Sequence, residues 1–201
     1  MLKYTTFKGE IGMLRLEDIK RELDITNEEL DNFLYVADNP ERYNELCRKK
    51  NKLSEMYQLL TLPKVVSTDE LDIYVENKGF SHYIYHLTLH EDIKEIGHIR
   101  VTYKECDDKY GNIGYEIKRQ YQGHGFALKA LELLEEEMIK RGLTNPIITA
   151  YPHNLPSIRT IEKFGGVLIS ESHNLVNYNK YQVDLLKKKE EKIKQKRKHL
   201  Q

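Results

Sequence analysis

Apolar positions along the chain follow two different periods. Between residues 15 and 62 they recur every three or four residues: Leu30, Phe33 and Leu34 follow Thr26-Asn-Glu-Glu29, and Tyr43, Leu46, Cys47, Leu53, Met56, Tyr57 and Leu60 trace a second stripe. That spacing lines one face of a helix. Thr26 with Glu29 fits a capping box, in which hydroxyl and carboxylate satisfy backbone donors at a helix start. The pattern therefore predicts a short helix from Arg15 to Leu23, a second from about Asn27 to Ala37, and a longer third one opening at Asn39-Pro40. Leu62-Pro63 closes this stretch.

From Leu71 the period shortens to two, with Ile, Val, Tyr and Thr alternating against polar residues. Strands are predicted at about Ile73–Val75, Tyr83–Leu89, Ile96–Tyr103 and Ile113–Ile117. The Asp107-Asp108-Lys-Tyr-Gly111-Asn112 cluster supplies turn residues, and so a hairpin between the last two. Phe126 to Arg141 returns to helical spacing and stops at Gly142; Pro146 to Ala150 is a short strand; Leu155 to Phe164 is a helix ended by Gly165-Gly166. Val167–Ser170 and Tyr178–Leu185 read as closing strands. The order of elements predicts a mixed α/β (α+β) domain with a mostly antiparallel sheet over 63–186, preceded by a helical extension over 1–62 and followed by a basic tail over 187–201.

Composition narrows the class. Of 201 residues 39% are hydrophobic and 32% charged, which suits a globular chain, and there is no long apolar run. The amino-terminal segment lacks the apolar core of a signal peptide, so a cytoplasmic protein without a membrane partner is expected. Cys47 and Cys106 are too few for a disulfide framework or a structural zinc site; reduced thiols and no bound metal are the expectation. The tail carries eight Lys or Arg against Glu190 and Glu191, so in a formally neutral chain the preceding residues hold six net negative charges. An acidic body does not suit a broad nucleic-acid face, although helix, turn, helix near the amino terminus keeps a DNA contact as a minor alternative. A terminal charge run is expected to be a frayed, solvated helix.

The candidate chemistry sits at two junctions. In Ile117-Lys-Arg-Gln-Tyr-Gln122-Gly-His-Gly-Phe-Ala127 a strand passes into a helix through two glycines. Glycine lets backbone approach a ligand, and the unpaired N–H groups of the first helical turn attract an anion, a pyrophosphate above all. Two familiar phosphate loops do not fit. No Gly-Lys-Ser/Thr follows, and Leu128 stands where the dinucleotide fingerprint needs its third glycine. The second junction, Asn154-Leu-Pro-Ser157, opens the helix after a strand with a capping amide and a hydroxyl three residues on.

Together these segments resemble the GNAT superfamily of acetyl-CoA-dependent N-acetyltransferases. Gln122-Gly-His-Gly125-Phe-Ala127 matches the signature Gln/Arg-x-x-Gly-x-Gly/Ala, and Asn154, Ser157 and Gly165-Gly166 match the second motif. The resemblance covers about Tyr83 to Leu185 and implies a GNAT-like sheet with flanking helices. It implies that the Ile117 backbone pairs with the pantetheine arm of acetyl-CoA. By the same resemblance, Gln122, Gly123, His124, Gly125, Phe126 and Ala127 hold the pyrophosphate and Asn154 bonds the arm further along.

The implied reaction is direct attack of a primary amine, on a small molecule or a peptide, at the thioester. It needs a base, a polarised carbonyl and a donor near the departing sulfur. Ser157 is the candidate donor. Glu116, on the face of its strand opposite Tyr115 and Ile117, is the first candidate base, with His98, His124 and His153 behind it. Many relatives place a Tyr seven residues after the Asn, where this chain has Ile161. That departure keeps an alternative in view, an acyl-CoA-binding sensor or scaffold with weak catalysis. The family also admits a homodimer.

Overall fold

The computed structural model describes residues 3–5, 11–13, 15–33, 39–90, 93–104, 111–172 and 178–198. A two-stranded antiparallel ribbon, β1 (Lys3–Thr5) and β2 (Ile11–Met13), precedes the helices α1 (Leu16–Asp31) and α2 (Pro40–Thr61). Strands β3 (Lys64–Ser67), β4 (Leu71–Asn77), β5 (His82–Leu89), β6 (Glu95–Thr102) and β7 (Ile113–Ile117) follow. Then come α3 (Phe126–Lys140), β8 (Ile147–Ala150), α4 (Leu155–Lys163), β9 (Val167–Ser170), β10 (Asn179–Gln182) and α5 (Leu185–Lys198). Strands β3 to β10 form one sheet in the order β3-β4-β5-β6-β7-β8-β10-β9. The β3-β4, β6-β7, β8-β10 and β9-β10 pairs are antiparallel and β7-β8 is parallel, which is the expected mixed α/β class.

Two compact units divide the chain, Met1–Tyr74 with Thr88–Glu95 and Val75–Leu87 with Ile96–Gln201. In the first, α1 and α2 pack on each other, with Ile19 and Leu46 buried. Asn39 caps α2 by accepting from the Arg42 N–H at 3.0 Å, as the Asn-Pro signal predicted. Thr26 does not cap. It lies inside the single helix α1, fully buried, with its hydroxyl donating to the Glu22 carbonyl at 2.7 Å. A threonine can satisfy its hydroxyl on the preceding turn, and burial favours that solution over a helix break. The predicted end of that helix, near Ala37, lies outside the described residues, as does most of the 107–112 turn.

Strand β3, absent from the period-two pattern, is short and is held by a tertiary partner. Buried Asp72 on β4 accepts from Lys64 Nζ at 2.9 Å and Ser67 Oγ at 2.5 Å, one bond from each end of the strand.

In the second unit, Phe126, Ala130, Leu131, Leu134 and Met138 form the buried stripe of α3, which packs on β7, α4 and α5. The basic tail is not simply frayed. Lys188 and Lys192 of α5 both pair with Glu135 of α3, the latter at 2.7 Å, and Lys188 also lies 3.8 Å from the Phe164 ring centroid at the end of α4. Glu135 is only 5% exposed. A carboxylate so buried needs cationic partners, and they come from the tail.

Candidate active site

The site is built where two parallel strands separate. At its amino end β7 is pinned to β8: Asn112 N–H donates to the Ile147 carbonyl at 2.6 Å, and Ile147 N–H donates to Asn112 Oδ1 at 3.0 Å. The Asn112 amide also donates to the Thr102 and Lys104 carbonyls at 3.0 and 3.1 Å, so this side chain rivets three segments. The register pair Ile113 with Ile148 follows, and among the described residues the two strands carry no further pair with each other. Their outer edges stay laddered to β6 and β10.

The hydrogen-bond phase of β7 decides what faces that opening. Lys118 N–H donates to the Ile96 carbonyl at 2.8 Å, while Gly97 stands opposite Ile117 and Ile99 opposite Tyr115. Alternation in an antiparallel ladder then turns the N–H and C=O groups of Tyr115 and Ile117 away from β6, toward β8. The Ile117 carbonyl is occupied by Gln122 Nε2 at 2.8 Å, so the Gln122 side chain closes the turn it belongs to.

Beyond Ile117 a single 3-10 turn at Arg119–Tyr121 leads to Gln122 in extended conformation, then to Gly123 and Gly125, both at φ +81°. A Cβ on either glycine would meet nothing within 4 Å. Backbone conformation, not crowding, demands glycine there. Gly125 caps α3 without a side chain, and the first helical bond of α3 runs from Lys129 N–H to the Gly125 carbonyl at 3.0 Å. The N–H groups of Phe126, Ala127 and Leu128 therefore have no helical acceptor, and no acidic residue stands in that turn. Phe126 is buried and anchors the turn, whereas Gln122, Gly123, His124 and Gly125 are exposed. His124 Nδ1 lies 3.0 Å from the Gln122 carbonyl, and the ring stacks on Phe126 at 5.9 Å.

At the second junction Asn154 Oδ1 accepts from the Ser157 N–H at 3.2 Å, capping α4. Because β7 and β8 are parallel, α3 and α4 begin at the same edge of the sheet. The Ser157 hydroxyl lies 2.8 Å from the Tyr115 hydroxyl, which also donates to the Ser157 carbonyl at 3.1 Å. Burial holds the Tyr115 phenol above its ordinary pKa, opposed by hydrogen bonds to Ser157 and Thr160. Ile161, at the position where the family resemblance implies Tyr in many relatives, is fully buried.

The candidate residues do not converge on one point. Gln122 joins Ile117, and Asn154 joins Ser157. Glu116 stands opposite His98 on β6, exposed and, as alternation predicted, on the face of β7 away from Tyr115 and Ser157. His153 stacks on Tyr151 at 5.4 Å. Tyr115 is the participant that residue spacing did not single out. Its one sequence signal was its place on the Ile117 face of the strand.

Among the described residues no group of three or more His, Cys, Asp or Glu could hold a metal ion, and no helix is long and apolar enough to cross a membrane.

The family model for the acetyltransferase (GNAT) domain matches residues 21–167, which takes in the split strand pair and the starts of both helices. The chain belongs to this GNAT family of acetyl-CoA-dependent acetyltransferases. It is 33% identical over 91 residues to the uncharacterized N-acetyltransferase YnaD of Bacillus subtilis (strain 168), a match that takes in 45% of this chain and 53% of YnaD. The chain thus spans about half the length of that curated relative.

The solved apo structure of RimL, a ribosomal L7/L12 alpha-N-protein acetyltransferase, aligns with a TM-score of 0.50 at 15% identity, over 61% of this chain and 98% of that one. At such identity the likeness is one of fold. The microcin C7 self-immunity acetyltransferase MccE, solved with acetyl-CoA and AMP, aligns with a TM-score of 0.44 at 18% identity, over 85% of this chain and 88% of its own.

Proposed function

We propose that the chain transfers an acetyl group from acetyl-CoA to a primary amine by direct attack, without a covalent enzyme intermediate. The observation that carries this is the opening between β7 and β8, with the amino ends of α3 and α4 at its edge. The residues present suit the donor. Amides from Gly123 to Ala127 offer a pyrophosphate unpaired N–H groups and a helix dipole with no acidic side chain to compete. The backbone of Ile117 faces the opening where an extended amide arm would lie. Asn154 spends its Oδ1 on the cap and keeps its amide N–H groups for the arm. Acetyl-CoA, when bound, supplies the activated acyl group.

The protein's own part is then to bind, orient and move one proton. Glu116, paired across the ladder with His98, takes the proton of the attacking amine from one face of β7. Ser157, on the other face, would offer its hydroxyl to the departing sulfur. The amine is carried by a small molecule or a peptide, and the acidic body favours a cationic acceptor. Activity in the cytoplasm, with or without a homodimer, belongs to the same proposal.

Isothermal titration with acetyl-CoA tests the donor site. Wild type is expected to bind, and Gly123→Val with Gly125→Val to bind far more weakly. No binding by wild type, or equal binding by the double variant, refutes the assignment.

One observation favours a second role, an acyl-CoA-responsive module with little turnover: the buried Ile161 offers no acid where the resemblance implies Tyr in many relatives. Thiol release across a panel of amines, peptide amino termini included, separates the two. Binding without release on every amine selects the module.

A further inference from the structure

Ser157 is held from two directions by groups that are distant in sequence. Its N–H donates to Asn154 within α4, while its hydroxyl and carbonyl both meet the Tyr115 hydroxyl, 42 residues earlier and on another element. Tyr115 lies on β7 and is partly buried, so the contact is not a solvent-exposed accident. A hydroxyl with one well-placed neighbour that can both accept and donate has two defined directions, one with its hydrogen on the neighbour and one with its hydrogen free.

We infer that Tyr115 is a positioning residue that holds the Ser157 side chain in place and, by turning its own O–H onto Ser157 Oγ, frees the Ser157 hydrogen for the thiol sulfur of the acetyl donor. This rests on the donor site proposed above and extends it to a residue outside the glycine turn and the Asn154 junction.

The relay balances. At rest the Tyr115 O–H donates to the Ser157 carbonyl at 3.1 Å, and the Ser157 O–H donates to the Tyr115 oxygen at 2.8 Å. As the C–N bond forms and the C–S bond breaks, the electron pair goes to sulfur and the amine proton to the Glu116 side. Ser157 then turns its hydrogen to the sulfur, and Tyr115 turns its own onto Ser157 Oγ. The Ser157 carbonyl keeps its place as a helical acceptor. Neither hydroxyl loses its proton, which agrees with a phenol whose burial favours the neutral form. A serine hydroxyl that receives a hydrogen bond is the better donor in turn. With Ile161 in the core, this pair supplies the polar contact that the α4 face lacks at that position.

The test reads the thiol itself. Coenzyme A is bound to the protein, and thiolate absorbance is followed across pH. Tyr115→Phe removes one oxygen and should weaken the acid dissociation constant of the bound thiol roughly 3- to 10-fold, the scale of one hydrogen bond. Ser157→Ala should do at least as much, and Tyr115→Phe in the Ser157→Ala background should add nothing. A purely structural tyrosine would leave the thiol unmoved or shift it equally in both backgrounds, and either result overturns the inference. If Tyr115→Phe does not fold, Ser157→Thr and Ser157→Ala take its place: Thr should keep the wild-type value and Ala should not, and equal values for both overturn the inference. Failure of wild type to bind coenzyme A ends the donor site itself, which distinguishes that failure from this one.

Discussion

The two strand-to-helix junctions solve the same problem in opposite ways. Each helix begins with N–H groups that its own backbone cannot satisfy. At α4 the protein fills part of that demand itself, with Asn154 Oδ1 accepting from the Ser157 N–H, while Tyr115 separately holds the Ser157 carbonyl and hydroxyl. At α3 it leaves the demand open, entering through Gly125 at φ +81° with no side-chain cap and no acidic residue in the turn. A capped terminus is a rigid support for side chains, and an uncapped one is an anion site. The difference supports the proposed division of labour, orientation at α4 and charge binding at α3.

Both helices share one support, and removing it should give the largest effect. Glu135 on α3 is paired with Lys188 and Lys192 of α5, and Lys188 lies against Phe164 at the end of α4. Glu135→Ala leaves the largely covered Lys188 ammonium and the more exposed Lys192 without their carboxylate and should lower stability by about 3 kcal/mol in denaturant unfolding. The junctions lie at the other end of these helices, so acetyl-CoA affinity of the folded fraction should change by no more than about twofold. A large affinity loss would mean that α5 also sets the junctions.

Next in size is the glycine pair. Gly123→Val with Gly125→Val forces two positive-φ positions on side chains that avoid them, and titration calorimetry should show roughly a 100-fold loss of acetyl-CoA affinity, the scale of two lost charge-assisted bonds. If the loss is below tenfold, α3 is not the charge-binding junction.

Asn154→Ala should cost about 1 kcal/mol in thermal or denaturant unfolding, the usual worth of an N-cap, while Asn154→Asp keeps the acceptor and most of the stability. Equal behaviour of the two would show that α4 is not supported by its cap. The smallest effect is expected at His124. Its ring is exposed, and only its backbone belongs to the proposed anion turn, so His124→Ala should change acetyl-CoA affinity less than about threefold. A larger loss would move part of the charge binding from backbone to side chain.

Legibility in the sequence followed the range of the forces involved. Strand β7 was predicted with its observed bounds, and α3 and α4 to within a residue, because period, glycine stops and the Asn-x-Pro start are local signals. Thr26 misled because a capping box and a buried, back-bonded threonine have the same local sequence, and only the packing of α1 against α2 separates them. Strand β3 escaped because its anchor, Asp72, belongs to the next strand. The tail read as solvated because its partner, Glu135, is some fifty residues away.

By itself the sequence determined the family, the order of elements and the glycine turn, since each depends on residues within a few positions of one another. Only the tertiary structure decided that β7 and β8 part after Ile113 and Ile148, and that Glu116 and Ser157 lie on opposite faces. It also decided that Tyr115, not a residue of α4, meets the Ser157 hydroxyl. Those relations join groups from 35 to 42 positions apart, and a contact across such a span is set by how the strands and helices pack, which no local pattern encodes.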